Sequence, residues 1–267
     1  MDDADLLRYS RHILLPELGV DAQQRFASAH ALIVGVGGLG SPVALFLAAA
    51  GVGRLTLCDA DRVDLTNLQR QLLFDTSHLG QTKVAAAGAR LGAVNPQVTV
   101  VAVQQRVDAA ALRPLVRQAD VVIDCSDNFE TRHALNRCCV EARKPLVSGA
   151  AIRFDGQVAV FDSRDASSPC YQCLFPSSAD ADETRCATMG VFAPLVGIIG
   201  STQAAEALKI LAAAGASLAG RLLIIDALGM EWRQLRVARD PACQVCSGAQ
   251  HDAPEHEADS ASSAALG

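Results

Sequence analysis

The chain has 267 residues, 50% of them hydrophobic and 19% charged, enough apolar material for a sizeable core in one large domain. A net charge of -6 at pH 7 excludes a nucleic-acid partner, which would call for a basic surface. The acidic start, Met1-Asp-Asp-Ala-Asp, has no signal-peptide pattern, so a cytoplasmic protein is expected, in which nine cysteines read as metal ligands, nucleophiles or core residues rather than disulfides.

Leu6 to Gly19 alternates apolar and basic residues and predicts a short helix stopped by Pro16. Its Arg8 and Arg11 suit either a solvated face or an arm reaching a phosphate in another subunit. Asp21 to Ala29 suits a helix capped by Asp21. Ala31 to Gly40, ALIVGVGGLG, then reads as strand, tight glycine turn and helix start. Gly35, Gly37, Gly38 and Gly40 give the G-x-G-x-x-G spacing, which turns sharply and offers backbone N–H groups to an anion at a helix N-terminus. Asp59 ends the next apolar run, Leu55 to Cys58, where a carboxylate suits a ribose hydroxyl pair. Together these predict a nucleotide site; a glycine turn used only for packing is the alternative.

Where a simple dinucleotide fold would enter a crossover helix, a polar loop follows instead, with Asp61, Asn67 and Arg70, and then Lys83. From downstream of the glycine turn, Arg70 and Lys83 could fold back over a triphosphate, or remain surface charges. Thr82 to Ala93 is helical by composition, Val98 to Val103 is a β-branched strand and Asp108 to Gln118 is a helix. The strand from Ala119 carries Asp124, Asp127 and Asn128 at its carboxyl end, the place where open α/β sheets bind ligands. These oxygens suit magnesium, while Asp127 or Asn128 could also cap the helix Glu130 to Arg143.

Beyond the short strand Pro145 to Ser148 the pattern changes. Ala150 to Asp162 reads as a hairpin turning at Asp155-Gly156, and Leu222 to Asp226 with Glu231 to Val237 as a second pair around Leu228-Gly229. The apolar stretch Gly190 to Ala214 carries Gln203, Glu206 and Lys209 and reads as a buried amphipathic helix, not a membrane span. The expected fold is thus α/β, a Rossmann-like, mainly parallel sheet with helices on both faces, continued by antiparallel strands. Ser177 to Thr184 is a polar, acidic, mobile loop by composition, and Gly248 to Gly267 a disordered tail.

Cys170-Tyr-Gln-Cys173 and Cys243-Gln-Val-Cys246 supply four thiolates, the complement of a closed, structural zinc site joining two distant parts of the chain. Two redox disulfides are the alternative. Cys58, Cys125, Cys138 and Cys139 fall in strand or helix patterns and read as core. Cys186 precedes a helix start, which lowers a thiol pKa, while the acids of its loop oppose a thiolate.

Taken together the residues resemble the bacterial ThiF/MoeB/HesA family, relatives of the ubiquitin-activating enzymes. The matching pieces are Arg8-Tyr-Ser-Arg11, Gly35-Val-Gly-Gly-Leu-Gly40, Asp59 with Asn67-Leu-Gln-Arg70-Gln, Lys83, Asp127-Asn-Phe with Arg132, both C-x-x-C pairs, and Cys186 before Gly190-Val-Phe-Ala-Pro. His12 departs from the pattern, standing where glutamine is expected. The resemblance covers Leu6 to Ser247 and implies a single adenylyltransferase domain, 1–247, with a nucleotide-binding half of about 1–150 and a carrier-binding, zinc-holding half of about 151–247.

It further implies ATP, magnesium and adenylation of the C-terminal Gly-Gly carboxylate of a ubiquitin-like sulfur carrier, in thiamin or molybdopterin biosynthesis. Asp59 would then hold the ribose, with Asn67, Arg70 and Lys83 on the phosphates and Asp127 on magnesium, while Asp61 and Asn128 join the nucleotide site. Arg11 would reach the triphosphate of the other subunit of a homodimer. Cys170, Cys173, Cys243 and Cys246 would bind zinc. Cys186 would be the mobile-loop cysteine, which links to the carrier in some members and is dispensable in others. Activation of a different carrier or peptide tail is the nearest alternative. A nicotinamide-dependent oxidoreductase is the alternative of another class, against which stand the Asn67 to Arg70 stretch, Lys83 and the lack of a hydride-site acid or base.

Overall fold

The computed structural model describes residues 1–176 and 189–247. Cys186, the Ser177 to Thr184 loop and the tail from Gly248 lie outside the described residues.

Among the described residues, eight strands form one sheet in the order β3-β2-β1-β4-β5-β6-β7-β8. The first five, β1 (His30–Val34), β2 (Arg54–Cys58), β3 (Thr99–Val103), β4 (Val121–Asp124) and β5 (Pro145–Ile152), pair in parallel. Strands β6 (Asp155–Asp162), β7 (Arg221–Asp226) and β8 (Glu231–Arg236) continue the sheet antiparallel. The order reverses between β1 and β4, so the loops leaving their carboxyl ends diverge and leave a crevice, the usual ligand position in such sheets. β1 and β4 are buried along their whole length, as a central parallel strand covered on both faces must be.

Helices α1 (Asp3–Arg8), α2 (Ser10–Ile13) and α3 (Gly19–Ser28) precede β1. The expected single helix to Pro16 is thus two short ones that break at Tyr9, a buried ring whose hydroxyl bonds Gln97 and accepts from Asn95. Asp21 is not a cap: α3 begins at Gly19 with Leu18 before it, and Asp21 sits within the first turn, where its charge favours the helix dipole. Crossovers α4 (Gly40–Ala49), α5 (Lys83–Val94), α6 (Ala109–Gln118) and α7 (Phe129–Ala142) cover the parallel half. The short α8 (Tyr171–Leu174) begins right after Cys170, and the long α9 (Ala193–Ala212) runs across the centre against α4 and β5.

By length and composition α9 could cross a membrane. Here it is a core helix that buries Leu195, Val196, Ile199, Gln203 and Glu206. Gln203 Nε2 donates to the carbonyls of Asp124 (2.8 Å) and Val147 (3.3 Å), and Glu206 accepts from the N–H of Leu218. Polar groups partnered in this way are tolerable in a core.

The first hairpin turns two residues earlier than the sequence suggests. Ile152 pairs with Asp155, so the turn is Arg153-Phe154, with Arg153 left-handed at φ 53°. Asp155-Gly156 instead opens β6, and Gly156 is there for packing: a Cβ on it would come within 2.8 Å of Ile199 and Leu195 of α9. The second hairpin turns around Leu228-Gly229 as expected, between Asp226 and Glu231.

Candidate functional site

The glycine turn joins β1 to α4 at the crevice, and its glycines differ in what they do. Gly35 has φ 90°, and a Cβ on it would reach 2.5 Å from the carbonyl oxygen of Cys125 on the neighbouring β4 loop. A Cβ on Gly40 would collide with the carbonyl oxygen of Gly35, and one on Gly38 would press on Val196 of α9 at 3.1 Å. Gly37 alone of the four has ordinary room, its nearest neighbour being Gln71 Nε2 at 3.5 Å. Three of the four therefore shape the turn and its packing, and Gly37 faces the space above it. Ser41 closes the turn by donating from both N–H and Oγ to the carbonyl of Gly37, at 2.9 and 2.7 Å.

Asp59 follows β2 and ties the site together. One carboxylate oxygen accepts from Val36 N–H in the glycine turn at 2.7 Å, and the other from Asp61 N–H at 2.9 Å. Each oxygen keeps a lone pair for a ligand hydroxyl. Asp61 in turn holds Lys83: its carboxylate lies 2.8 Å from Nζ, and its carbonyl accepts the Lys83 N–H at 2.9 Å. Lys83 is buried to 5% exposure at the start of α5, although Asp61 is exposed. A buried lysine with a solvated partner is a cation held in place with capacity for a second anion.

The connection between Asp61 and Lys83 is pinned rather than loose. Val63 N–H donates to Gln81 and Gly80 N–H to Val63, and Arg62 bridges to Thr82. Within it a 3₁₀ turn, Leu65–Asn67, is capped by Asp64, whose N–H is accepted by Asn67 Oδ1 at 3.3 Å. Arg70 is half-buried and donates to the Thr66 carbonyl at 3.0 Å, leaving most of its five N–H donors open. Next to it Gln71 is buried against Gly37, with its Oε1 unpartnered. Its place beside Arg70 was visible in the sequence, but its burial under the glycine turn was not.

At the end of β4 the structure corrects one candidate. Asp124 is fully buried and accepts Ser126 N–H (3.0 Å), Ser126 Oγ (2.6 Å) and Ser148 Oγ (2.8 Å), with Arg132 Nη1 at 3.9 Å. It is the anchor of the β4–α7 loop, not a magnesium ligand. Asp127 is exposed on that loop. Asn128 caps α7, its Oδ1 accepting from Thr131 N–H at 2.9 Å, while its Nδ2 points to Asp127 Oδ1 at 3.4 Å. Arg11 lies exposed on α2 and makes no hydrogen bond or ion pair among the described residues.

The four cysteines converge as expected. Their Sγ atoms all lie within 4.8 Å of one another, with contacts of 3.9 Å (Cys170–Cys173), 3.6 Å (Cys170–Cys243) and 3.5 Å (Cys173–Cys246). A tetrahedral zinc with four sulfurs at about 2.3 Å needs sulfurs about 3.8 Å apart, so the donor set fits that ion and leaves no open position. Cys58, Cys125, Cys138 and Cys139 are buried in the core. Burial, with Asp59 beside it, pushes the Cys58 thiol up to about 12, and burial also raises Cys125 and Cys139, so none is a thiolate at neutral pH.

A glycine turn on a parallel sheet, an acid after β2, cations from the following loop and a four-cysteine knuckle closing the antiparallel half define an α/β protein with the layout of a nucleotide site. The chain matches the ThiF family over residues 9–245 and belongs to it. It is 43% identical over 252 residues to the sulfur carrier protein ThiS adenylyltransferase of Escherichia coli, covering 94% of this chain and 99% of that one. It is 44% identical over 246 residues to the molybdopterin-synthase adenylyltransferase of the same organism, covering 92% and 98%. Among solved structures it resembles Escherichia coli MccB with ATP, at a TM-score of 0.80 and 25% identity, over 90% of this chain and 73% of that one.

Proposed function

We propose that this protein uses ATP to adenylate the C-terminal Gly-Gly carboxylate of a ubiquitin-like sulfur carrier of the thiamin or molybdopterin type. The observation that carries the reading is the chain of hydrogen bonds from the glycine turn through Asp59 and Asp61 to Lys83, with Arg70 on the loop that connects Asp61 to Lys83. It supports Asp59 as the acid for a ribose and Lys83 as a cation for a triphosphate, with Arg70 as the second.

The carrier carboxylate is ionised at neutral pH and needs no general base. Its oxygen attacks the α-phosphorus, the bond to the β-phosphate breaks, and pyrophosphate leaves. The barrier is the approach of one anion to another, so catalysis is positioning and neutralisation. Asn67, Arg70 and Lys83 hold the phosphates, and Asp127 with Asn128, on the loop after β4, completes the nucleotide site. Magnesium, bound at Asp127, would supply further positive charge on the phosphate oxygens.

Two exposed apolar surfaces support protein partners. Leu228, Met230 and Trp232 lie at the start of β8 and on its turn, at the open edge of the sheet, and suit the carrier. Leu7, Leu14 and Leu15 are exposed on the segment that carries Arg11 and suit a second copy, whose Arg11 would complete the neighbouring site. Cys186 is retained as a candidate for a covalent link to the carrier. Incubation with ATP, magnesium and candidate Gly-Gly carriers, followed by intact-mass measurement, tests the reading. An adenylated carrier is expected, and a carrier lacking its last glycine should stay unmodified. Unmodified carriers throughout would overturn it.

A further inference from the structure

Beside the glycine turn the fold buries an amide and leaves its acceptor orphaned. Gln71 lies on the loop between Asp61 and Lys83, and its backbone is fixed there. Its N–H and that of Arg70 both donate to the Asn67 carbonyl, at 2.9 and 3.0 Å, and its own carbonyl accepts the N–H of Phe74 at 3.0 Å. Leu73 and Phe74 are buried in the main core and hold the loop down. The Gln71 side chain is 4% exposed. Its Nε2 lies 3.5 Å, and its amide carbon 3.9 Å, from the point a Cβ of Gly37 would occupy, so the amide stands against the one glycine of the turn with room beside it. Its Oε1 has no hydrogen-bond partner.

A buried acceptor without a partner destabilises a fold, whereas an apolar side chain of similar shape is neutral there or better. Stability alone would therefore favour methionine or leucine at this position. The other end of the amide explains the glutamine. Nε2 is a donor at the turn that leads into α4, where Leu39 at the N-cap supplies no side-chain acceptor. A phosphate seated at that helix start accepts from the backbone N–H groups of the turn and from Nε2 together. Arg70 and Lys83 bring charge from the same loop, and the neutral amide adds a directed donor held in place by its own burial.

We propose that Gln71 is a phosphate ligand of the nucleotide site, its Nε2 donating to a phosphate oxygen of ATP seated at Gly37. The inference rests on the reading of the crevice as an ATP site and adds a neutral donor to its cations. The orphaned Oε1 is the destabilising consequence of keeping that donor against the turn.

The test is Gln71→Met, which keeps the length of the side chain and removes both polar ends. Calorimetry measures the binding of ATP and of adenosine, each with magnesium and without carrier, beside a melting curve. The variant should melt no lower than wild type, because the orphaned acceptor is gone. Its dissociation constant for ATP should rise about tenfold, the scale of one hydrogen bond to a charged group, and its affinity for adenosine should not change. A glutamine that serves the fold alone would give a lower melting temperature with ATP affinity kept, which overturns the proposal. An equal loss of ATP and adenosine affinity overturns it too. Gln71→Glu keeps the shape and sets an anion beside the phosphates, so it should weaken ATP binding more than Gln71→Met does, and wild-type affinity in that variant would refute the contact. A further measurement needs no variant to fold: the side-chain amide resonance of Gln71 in wild-type protein should shift with ATP and stay in place with adenosine, and the absence of a shift with ATP counts against the contact. If wild type binds ATP and Gln71→Met binds it as tightly, this assignment fails alone. Wild-type protein that binds no ATP would overturn the reading of the crevice first, and this assignment with it.

Discussion

Replacing Lys83 by methionine separates catalysis from stability, because the structure assigns the two very different costs. The lysine side chain is 7% exposed, so its stem is packed, and methionine keeps most of that packing. Its partner Asp61 is 69% exposed, so the orphaned carboxylate is taken up by water. The pair then contributes at most about 1 kcal/mol, as exposed pairs do. For a domain of this size that is a melting shift of no more than about 4 °C. Loss of one donor to charge that develops in the transition state costs far more, about 10²–10³-fold in rate or about 2.7–4 kcal/mol. Carrier-dependent exchange of labelled pyrophosphate into ATP, with a melting curve on the same sample, measures both. A variant that exchanges at the wild-type rate would refute the role of Lys83. So would one that melts so far below wild type that unfolding accounts for the lost rate.

Three other outcomes follow from the same geometry. Gly40→Ala should destabilise by about 1–3 kcal/mol, because its Cβ meets the backbone of Gly35, whereas Gly37→Ala should melt like wild type and lose ATP affinity. Equal melting of the two variants would show that the glycines were assigned the wrong jobs. Removing metal from the four-cysteine knuckle, which ties residues 73 apart in sequence, should lower the melting temperature by about 5–10 °C and zinc should restore it; an unchanged melt would count against a resident ion. Burial also holds His30 and His133 below the ordinary histidine value of 6.5, with His30 placed between the Gln118 carbonyl and Thr56 Oγ1. The unfolded chain therefore takes up protons first, so this stability is complete above pH 6.5 and is lost as pH falls through the lower folded values. Melting temperatures should drop between pH 7 and 5, less so in His30→Gln, and a rise over that range would contradict the assignment.

Much of this was legible in the sequence because it depends on local spacing. The glycine turn, the acid after β2 and the paired cysteines are set by a few neighbouring residues, and all three stand where expected. What failed depended on distant packing. Asp155-Gly156 has the composition of a turn, but its glycine exists for α9, some forty residues onward, and the turn moved to Arg153. Asp124, Asp127 and Asn128 look alike as oxygen donors in sequence. Only the hydroxyls of Ser126 and Ser148 and the nearby Arg132 show that Asp124 faces inward. The burial of Gln71 beneath the glycine turn carried no local signal, since burial of a polar atom is a property of the fold.

The central claim is that cations at the mouth of the parallel sheet let a carboxylate attack ATP. It is tested most directly by incubating the wild-type protein with labelled pyrophosphate, ATP and magnesium, with and without a Gly-Gly carrier. Label should enter ATP only when the carrier presents a free terminal carboxylate, because exchange requires the acyl-adenylate to form and reverse. Exchange that ignores the carrier, or none with any carrier, would contradict the account.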